Sequence, residues 1–303
     1  MLSTNKLKIW FKAFRLRTLP LAMANAVMGS FLALFNGGFR WIIFILTILT
    51  ITFLQILSNL ANDYGDAVSG ADKADRVGPT RVTATGMVTK KEMKRMIVNF
   101  IILSVISGSL LILIGLRHVA LSKTLIYFGL GLAAIIAAIK YTVGKNPYGY
   151  KGFGDIFVFA FFGLIGVIGT YYLHTNWFDK IVIVPAAVIG LMSTAVLNIN
   201  NLRDIQPDTE SGKKTLPVQY GFEFARKYHL LLIGSAWILS ISYTIIHFFS
   251  LWQFLFLITL PLFIFNAKRV YYHKDSSELN NELRNLALAT FFFALTFGLG
   301  LIL

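Results

Sequence analysis

Two short stretches, each rich in asparagine and aspartate, stand where long hydrophobic runs end. The first carries Asn59, Asn62, Asp63 and Asp66; the second carries Asn200, Asn201, Asp204 and Asp208. On a helix the first set falls at i, i+3, i+4 and i+7, which is one face. The Asn62-x3-Asp66 spacing recurs as Asn200-x3-Asp204, and Asp208 extends the second series by four. Pro207 has no backbone N–H and is expected to break that helix nearby, which leaves Asp208 either at its end or on the following loop.

Carboxylate and amide oxygens without His or Cys suit a hard cation. Mg2+ keeps several waters and is usually held by one or two carboxylates together with substrate phosphates. Cations flank both stretches: Arg76 and Arg81 follow the first, and Lys213 and Lys214 follow the second. Carboxylates alone repel a phosphate. Interleaved with arginine and lysine they suit one ligand, a diphosphate carried by Mg2+. The acids hold the metal and the bases neutralise the remaining phosphate charge. In that chemistry Asp66 and Asp204 are the expected catalytic carboxylates.

The elements that must position these residues are membrane spans. Of 303 residues, 56% are hydrophobic and only 14% are charged, against about 25% charged in soluble domains. There is no Cys, which excludes disulfides and thiolate metal sites. A helix needs about 20 apolar residues to cross the hydrocarbon core. Nine such runs are expected, over residues 18–36, 41–65, 93–116, 124–142, 155–174, 181–203, 228–247, 250–270 and 284–303. The predicted fold is all-α, a polytopic bundle of nine transmembrane helices. Its loops then hold 24 Lys and Arg on the N-terminal side and 4 on the other. By the positive-inside rule the N-terminus is cytoplasmic and the C-terminus lies on the far side of the inner membrane. This distribution also explains the net charge of +14 without invoking nucleic acid.

Of 14 acids, only Asp179 falls in a far-side loop. A carboxylate at membrane depth costs about 2.5–3.5 kcal/mol on insertion scales and points to function. The second and sixth spans end on the same side, so Asp66 and Asp204 can meet. Between the fourth and fifth spans, a loop from Tyr141 to Asp155 is rich in glycine and tyrosine and is placed to act as a lid over the same mouth.

Three stretches together resemble the UbiA superfamily of intramembrane aromatic prenyltransferases: Asn62 through Asp72 to Pro79, Tyr141 to Asp155, and Asn200 through Asp208 to Leu216. Gly70, with Asp72 two residues on, resembles the branch that uses 1,4-dihydroxy-2-naphthoate in menaquinone synthesis and argues against a 4-hydroxybenzoate enzyme. The resemblance implies one membrane domain over residues 1–303, with a central cavity that binds Mg2+ and a polyprenyl diphosphate at its cytoplasmic mouth. It implies metal binding by Asn62, Asp66, Asp204 and Asp208. It implies substrate binding by Asp63, Asp72, Arg76, Arg81, Tyr141, Lys145, Asn200, Arg203 and Lys214. A different aromatic acceptor such as homogentisate is one alternative. A secondary transporter with acidic ion sites is another.

Overall fold

The computed structural model describes residues 4–70, 78 and 81–303, and the regular structure there is entirely helical. Among these residues nine stretches are long and apolar enough to cross a membrane. They are Lys6–Phe35, Trp41–Ser69, Lys90–Gly115, Leu121–Lys140, Gly154–Thr175, Lys180–Arg203, Leu216–Ile246, Leu251–Tyr272 and Ser276–Ile302. The nine expected runs are all present, making a multi-pass integral membrane protein.

The ends of the spans are set by local chemistry that hydropathy does not see. The third begins at Lys90 because Thr89 and Glu92 form a reciprocal cap: the Thr89 hydroxyl accepts the Glu92 N–H and the Glu92 carboxylate accepts the Thr89 N–H. The seventh is helical from Leu216 rather than residue 228. Pro217 is pre-set for a first turn. Gly221, at φ 85°, then kinks the stretch as a residue with a Cβ would not readily do. The very short connection before the eighth span works because Ser250 and Gln253 cap it in the same reciprocal way.

The first stretch is broken. Helix Thr4–Phe14 ends at Arg15, whose left-handed backbone (φ 49°, ψ 54°) redirects the chain into the crossing helix Leu19–Phe35. Trp10 and Ala13 of the leading helix pack on Ile56, Leu57 and Met93 of the second and third spans.

The crossing part of the first span packs on the second, fifth and ninth spans. The sixth packs on the fifth, seventh and ninth, while the second, third and fourth pack together. The largest core cluster joins the first, fifth, sixth, seventh, eighth and ninth spans, and a separate one joins the second, third and leading helices. Where the fifth and sixth spans cross, a Cβ on Gly163 would lie 2.6 Å from the Gly190 Cα, so the two backbones touch. The fifth span carries a π-helical section, Phe159–Ile168, that faces the space left between the two cores. Such sections concentrate at functional sites.

Candidate active site

That space is a cavity of about 410 Å³, walled by the first six spans, with Leu283 of the ninth also lining it. Its walls are largely apolar, with Leu54, Leu130, Ala134, Phe161 and Ile165 among them. Its charged lining gathers at one end, where Asp66, Arg81, Asp204, Asp208 and Lys213 converge with Asn62 and Tyr150.

Asp66 lies near the end of the second span and is 1% exposed. Its Oδ2 accepts from Arg81 Nη2 at 2.7 Å; its Oδ1 accepts from the Tyr150 hydroxyl at 2.7 Å and lies 3.3 Å from Lys213 Nζ. Lys213 Nζ also lies 3.1 Å from Asp208 Oδ1 and 4.7 Å from the centre of the Tyr150 ring. One ammonium therefore joins the first acidic stretch to the second and rests on the loop between the fourth and fifth spans.

Asp204 takes two parallel bonds from its neighbour Arg203: Nε to Oδ1 at 2.8 Å and Nη2 to Oδ2 at 2.7 Å. Arg203, 3% exposed, also donates to the side-chain oxygens of Asn200 at 2.8 Å and Asn280 at 3.1 Å. The guanidinium thereby fixes the second stretch to the start of the ninth span. The sixth span ends at Arg203, four residues before Pro207, and a separate short helix, Ile205–Glu210, carries Asp208. Pro207 sits in the first turn of that helix, where its missing N–H costs nothing. Asp208 thus projects from a short helix of its own, neither the long helix nor an irregular loop, the alternatives the sequence left undecided.

The face predicted for the first stretch divides. Asn59, Asn62 and Asp66 line the cavity. Asp63, one residue and so about 100° round from Asn62, instead accepts the backbone N–H groups of Val82 and Thr83, each at 3.1 Å. It anchors the segment that delivers Arg81. Asn59 donates to the Phe14 carbonyl at 2.9 Å and the Thr18 hydroxyl at 3.0 Å, tying the leading helix to the mouth. Asn62 accepts from the Thr142 hydroxyl at 3.1 Å. This contact depends on Gly65, because a Cβ there would lie 2.7 Å from the Thr142 carbonyl oxygen.

Tyr141, Asn200 and Arg203 line the cavity, whereas Lys145 and Lys214 are exposed and outside its lining. Asp72 and Arg76 lie outside the described residues. Tyr150, Tyr148 and the arginines Arg15 and Arg17 line the mouth without having been singled out by spacing. Burial, reinforced by the Asp66 charge, pushes the Tyr150 phenol well above its ordinary range, so it stays a hydrogen-bond donor at neutral pH. No three His, Cys, Asp or Glu among the described residues form a metal-binding group. The acids instead stand in pairs with cations, an arrangement that suits metals held jointly by one or two carboxylates and a phosphate.

The UbiA prenyltransferase family model matches residues 22–301. A 1,4-dihydroxy-2-naphthoate octaprenyltransferase of Haemophilus influenzae is 42% identical over 98% of this chain and 97% of its own length. Among solved structures, the apo UbiA homolog from Aeropyrum pernix aligns over 97% of this chain and 98% of its own, with TM-score 0.66 and 17% identity. A UbiA homolog from Archaeoglobus fulgidus bound to GPP and Mg2+ aligns over 95% and 99%, with TM-score 0.58 and 15% identity.

Proposed function

The chain belongs to the UbiA prenyltransferase family, and from that premise we propose that it transfers a polyprenyl group from polyprenyl diphosphate to 1,4-dihydroxy-2-naphthoate. CO2 and diphosphate are lost and demethylmenaquinol is formed, a step of menaquinone biosynthesis. The observation that carries this reading is the meeting of Asp66 and Asp208 at one ammonium, Lys213, at the mouth of an apolar cavity. Transporter sites lie near the membrane midplane, whereas these acids stand at span ends.

The donor set fits magnesium: three buried carboxylates, with the amide oxygens of Asn62 and Asn200 beside them, and no soft ligand. Asn62, Asp66, Asp204 and Asp208 would hold it. When bound it supplies neutralising charge to the leaving diphosphate. Arg81 and Lys213 are placed to turn from carboxylate to phosphate and hold the charge that develops on the leaving oxygens. The allylic C–O bond breaks with its electron pair staying on the diphosphate. The electron-rich ring forms the new C–C bond, and loss of CO2 returns the electron pair to the ring. The apolar walls exclude water from the allylic cation. The loop that carries Tyr148 and Tyr150 closes the mouth side.

We place the protein in the cytoplasmic (inner) membrane with the N-terminus and mouth cytoplasmic, on the strength of the 24-to-4 distribution of Lys and Arg. We read residues 1–303 as one domain. Membranes given a polyprenyl diphosphate, several aromatic acids and Mg2+ should yield a prenylated naphthol lighter by CO2, and a chelator should abolish it. Asp66→Asn and Asp204→Asn should lose turnover while Asp179→Asn keeps it. Turnover by both active-site variants with unchanged Mg2+ dependence would sink the metal assignment, and a product from a different acid would sink the acceptor.

A further inference from the structure

A second concavity lies away from the catalytic cavity, between the C-terminal end of the eighth span and the start of the ninth. It is a groove of about 830 Å³. One wall is a helix face at i, i+3, i+4 and i+7: Phe265, Lys268, Arg269 and Tyr272. The other repeats the spacing with Glu278, Asn281, Glu282 and Asn285.

The charges in the groove are not balanced within it. Glu282 is buried and already spent: it accepts from Arg269 Nη1 at 3.1 Å and from Asn266 Nδ2 at 2.9 Å. Glu278 is exposed. Lys268 and Arg284, both exposed and both lining the groove, make no ion pair among the described residues. His273 is only 5% exposed and also lines it. Its Nδ1–H donates to the Val270 carbonyl at 2.7 Å, yet its Nε2 is buried without a partner among the described residues. A buried polar atom left unpaired costs about 1–3 kcal/mol. With the proton on Nδ1, Nε2 is a bare acceptor, so the ligand atom that would complete it is a hydrogen-bond donor rather than a phosphate oxygen.

Two aromatic residues complete the character of the groove. Phe265 is 58% and Tyr272 69% exposed, on a span that must face lipid. The amphipathic ring of Tyr272 is of the kind that sits at the headgroup level, and the apolar Phe265 ring lies about two turns deeper along the same helix face. Uncompensated cations and exposed rings at one membrane boundary match a phosphate that arrives attached to acyl chains, and the bare imidazole nitrogen matches a hydroxyl on the same head group. Basic pockets between spans are a recognised form of lipid headgroup site.

We propose that this groove binds the head group of an anionic phospholipid, with Lys268 and Arg284 on its phosphate, His273 Nε2 accepting from a head-group hydroxyl, and Phe265 and Tyr272 against the chains. The site is independent of the prenyl-transfer reading. It sits on the same segment of the ninth span that contacts the catalytic side through Asn280 on Arg203 and through Leu283 in the cavity wall. Occupancy of the groove would therefore steady the segment that holds Arg203 on Asp204.

The test is lipid retention by the full chain purified into detergent. Protein exchanged into mixed micelles of phosphatidylglycerol and phosphatidylcholine is analysed by native mass spectrometry, with inorganic phosphate as a separate arm. The wild type should retain phosphatidylglycerol selectively. Lys268→Gln and Arg284→Gln should each weaken that retention about fivefold, at about 1 kcal/mol per cation, and the double variant more. Equal retention of the two lipids, or retention unchanged in the double variant, overturns the proposal. So does phosphate binding as tight as lipid binding. Thermal stability of the variants, expected to match wild type because both positions are exposed, separates a lost site from a damaged fold.

Discussion

Replacing Lys213 by Met removes the ammonium that joins the two acidic stretches and keeps most of the side chain's bulk. Its Nζ lies 3.3 Å from Asp66, 3.1 Å from Asp208 and 4.7 Å from the Tyr150 ring centre. At an effective dielectric near 20, each carboxylate contact is worth about 5 kcal/mol of gross attraction. Desolvation of the charges offsets much of that. Breaking a buried pair by removing one partner costs about 3–5 kcal/mol net. Arg81 still neutralises Asp66 in the variant, so a stability loss near the lower end, about 3 kcal/mol, is expected. The same cation is proposed to meet the leaving diphosphate, and losing one such group typically costs about a hundredfold or more in kcat.

The sign of the metal response is the discriminating part. With the ammonium gone, Asp66 and Asp208 are less neutralised, so Mg2+ measured without donor should bind more tightly to Lys213→Met than to wild type. Added Mg2+ should recover part of the lost thermal stability. Lys214→Met is the control. Its side chain is exposed and only its backbone is engaged, the N–H at 2.8 Å to the Tyr150 carbonyl and the carbonyl by the Gln219 side-chain amide, so kcat should stay within about twofold. The assays are prenyl transfer at saturating substrates, Mg2+ titration by calorimetry, and thermal unfolding in detergent. Equal behaviour of the two variants, or weaker Mg2+ binding by Lys213→Met, would refute the reasoning.

Tyr150→Phe keeps the ring beneath Lys213 but loses the hydroxyl that donates to Asp66. A hydrogen bond to a charged group is worth about 1.5–3 kcal/mol, so kcat should fall about tenfold or more, with the donor KM less affected. Because the folded state holds this phenol protonated beyond its ordinary pKa, the unfolded chain releases that proton first as pH rises. Wild-type stability should therefore decline above about pH 10, and Tyr150→Phe should remove that part of the decline in an alkaline denaturation series. Gly65→Ala should favour the helix by about 1 kcal/mol locally yet lower activity, because its Cβ would strike the Thr142 carbonyl. Activity at or above wild type would show that the close approach is not needed. Asp63→Asn leaves one acceptor for two N–H donors and should cost about 2 kcal/mol of stability while preserving Mg2+ dependence, since Asp63 lies outside the cavity lining.

The spans and the placing of two acidic stretches at one end were readable because both follow from coarse quantities: runs of about 20 apolar residues and the parity of crossings. What escaped was decided by turns of a residue or two. The family resemblance implied Lys214 for substrate binding, but Gly212, at φ 72°, turns the chain back so that the Lys213 N–H meets the Asp208 carbonyl at 2.9 Å and its side chain lies over the carboxylates. Asp63 and Asp66 looked equivalent on a helical face, yet only backbone N–H groups delivered from a loop 19 and 20 residues away reveal that Asp63 is structural. Tyr150 lay within a loop already singled out, but its hydroxyl could not be assigned to Asp66 before the loop's path was known.

Each buried acid proposed to hold metal already carries a cationic partner: Asp66 has Arg81 and Lys213, Asp204 has Arg203, and Asp208 has Lys213. This is the condition for keeping three carboxylates charged at the edge of a membrane before substrate arrives, because an uncompensated buried carboxylate is neutralised by its own pKa shift. A metal diphosphate brings both signs of charge at once. Asp66, Asp204 and Asp208 would hold the metal, and the guanidinium and ammonium groups they release would take the phosphate oxygens, so no charge would be left uncompensated. A prenyl group without its diphosphate offers nothing to those cations, and a diphosphate without metal offers nothing to the acids. The paired resting arrangement therefore discriminates for the complete metal-bound donor before any contact with the prenyl chain is made.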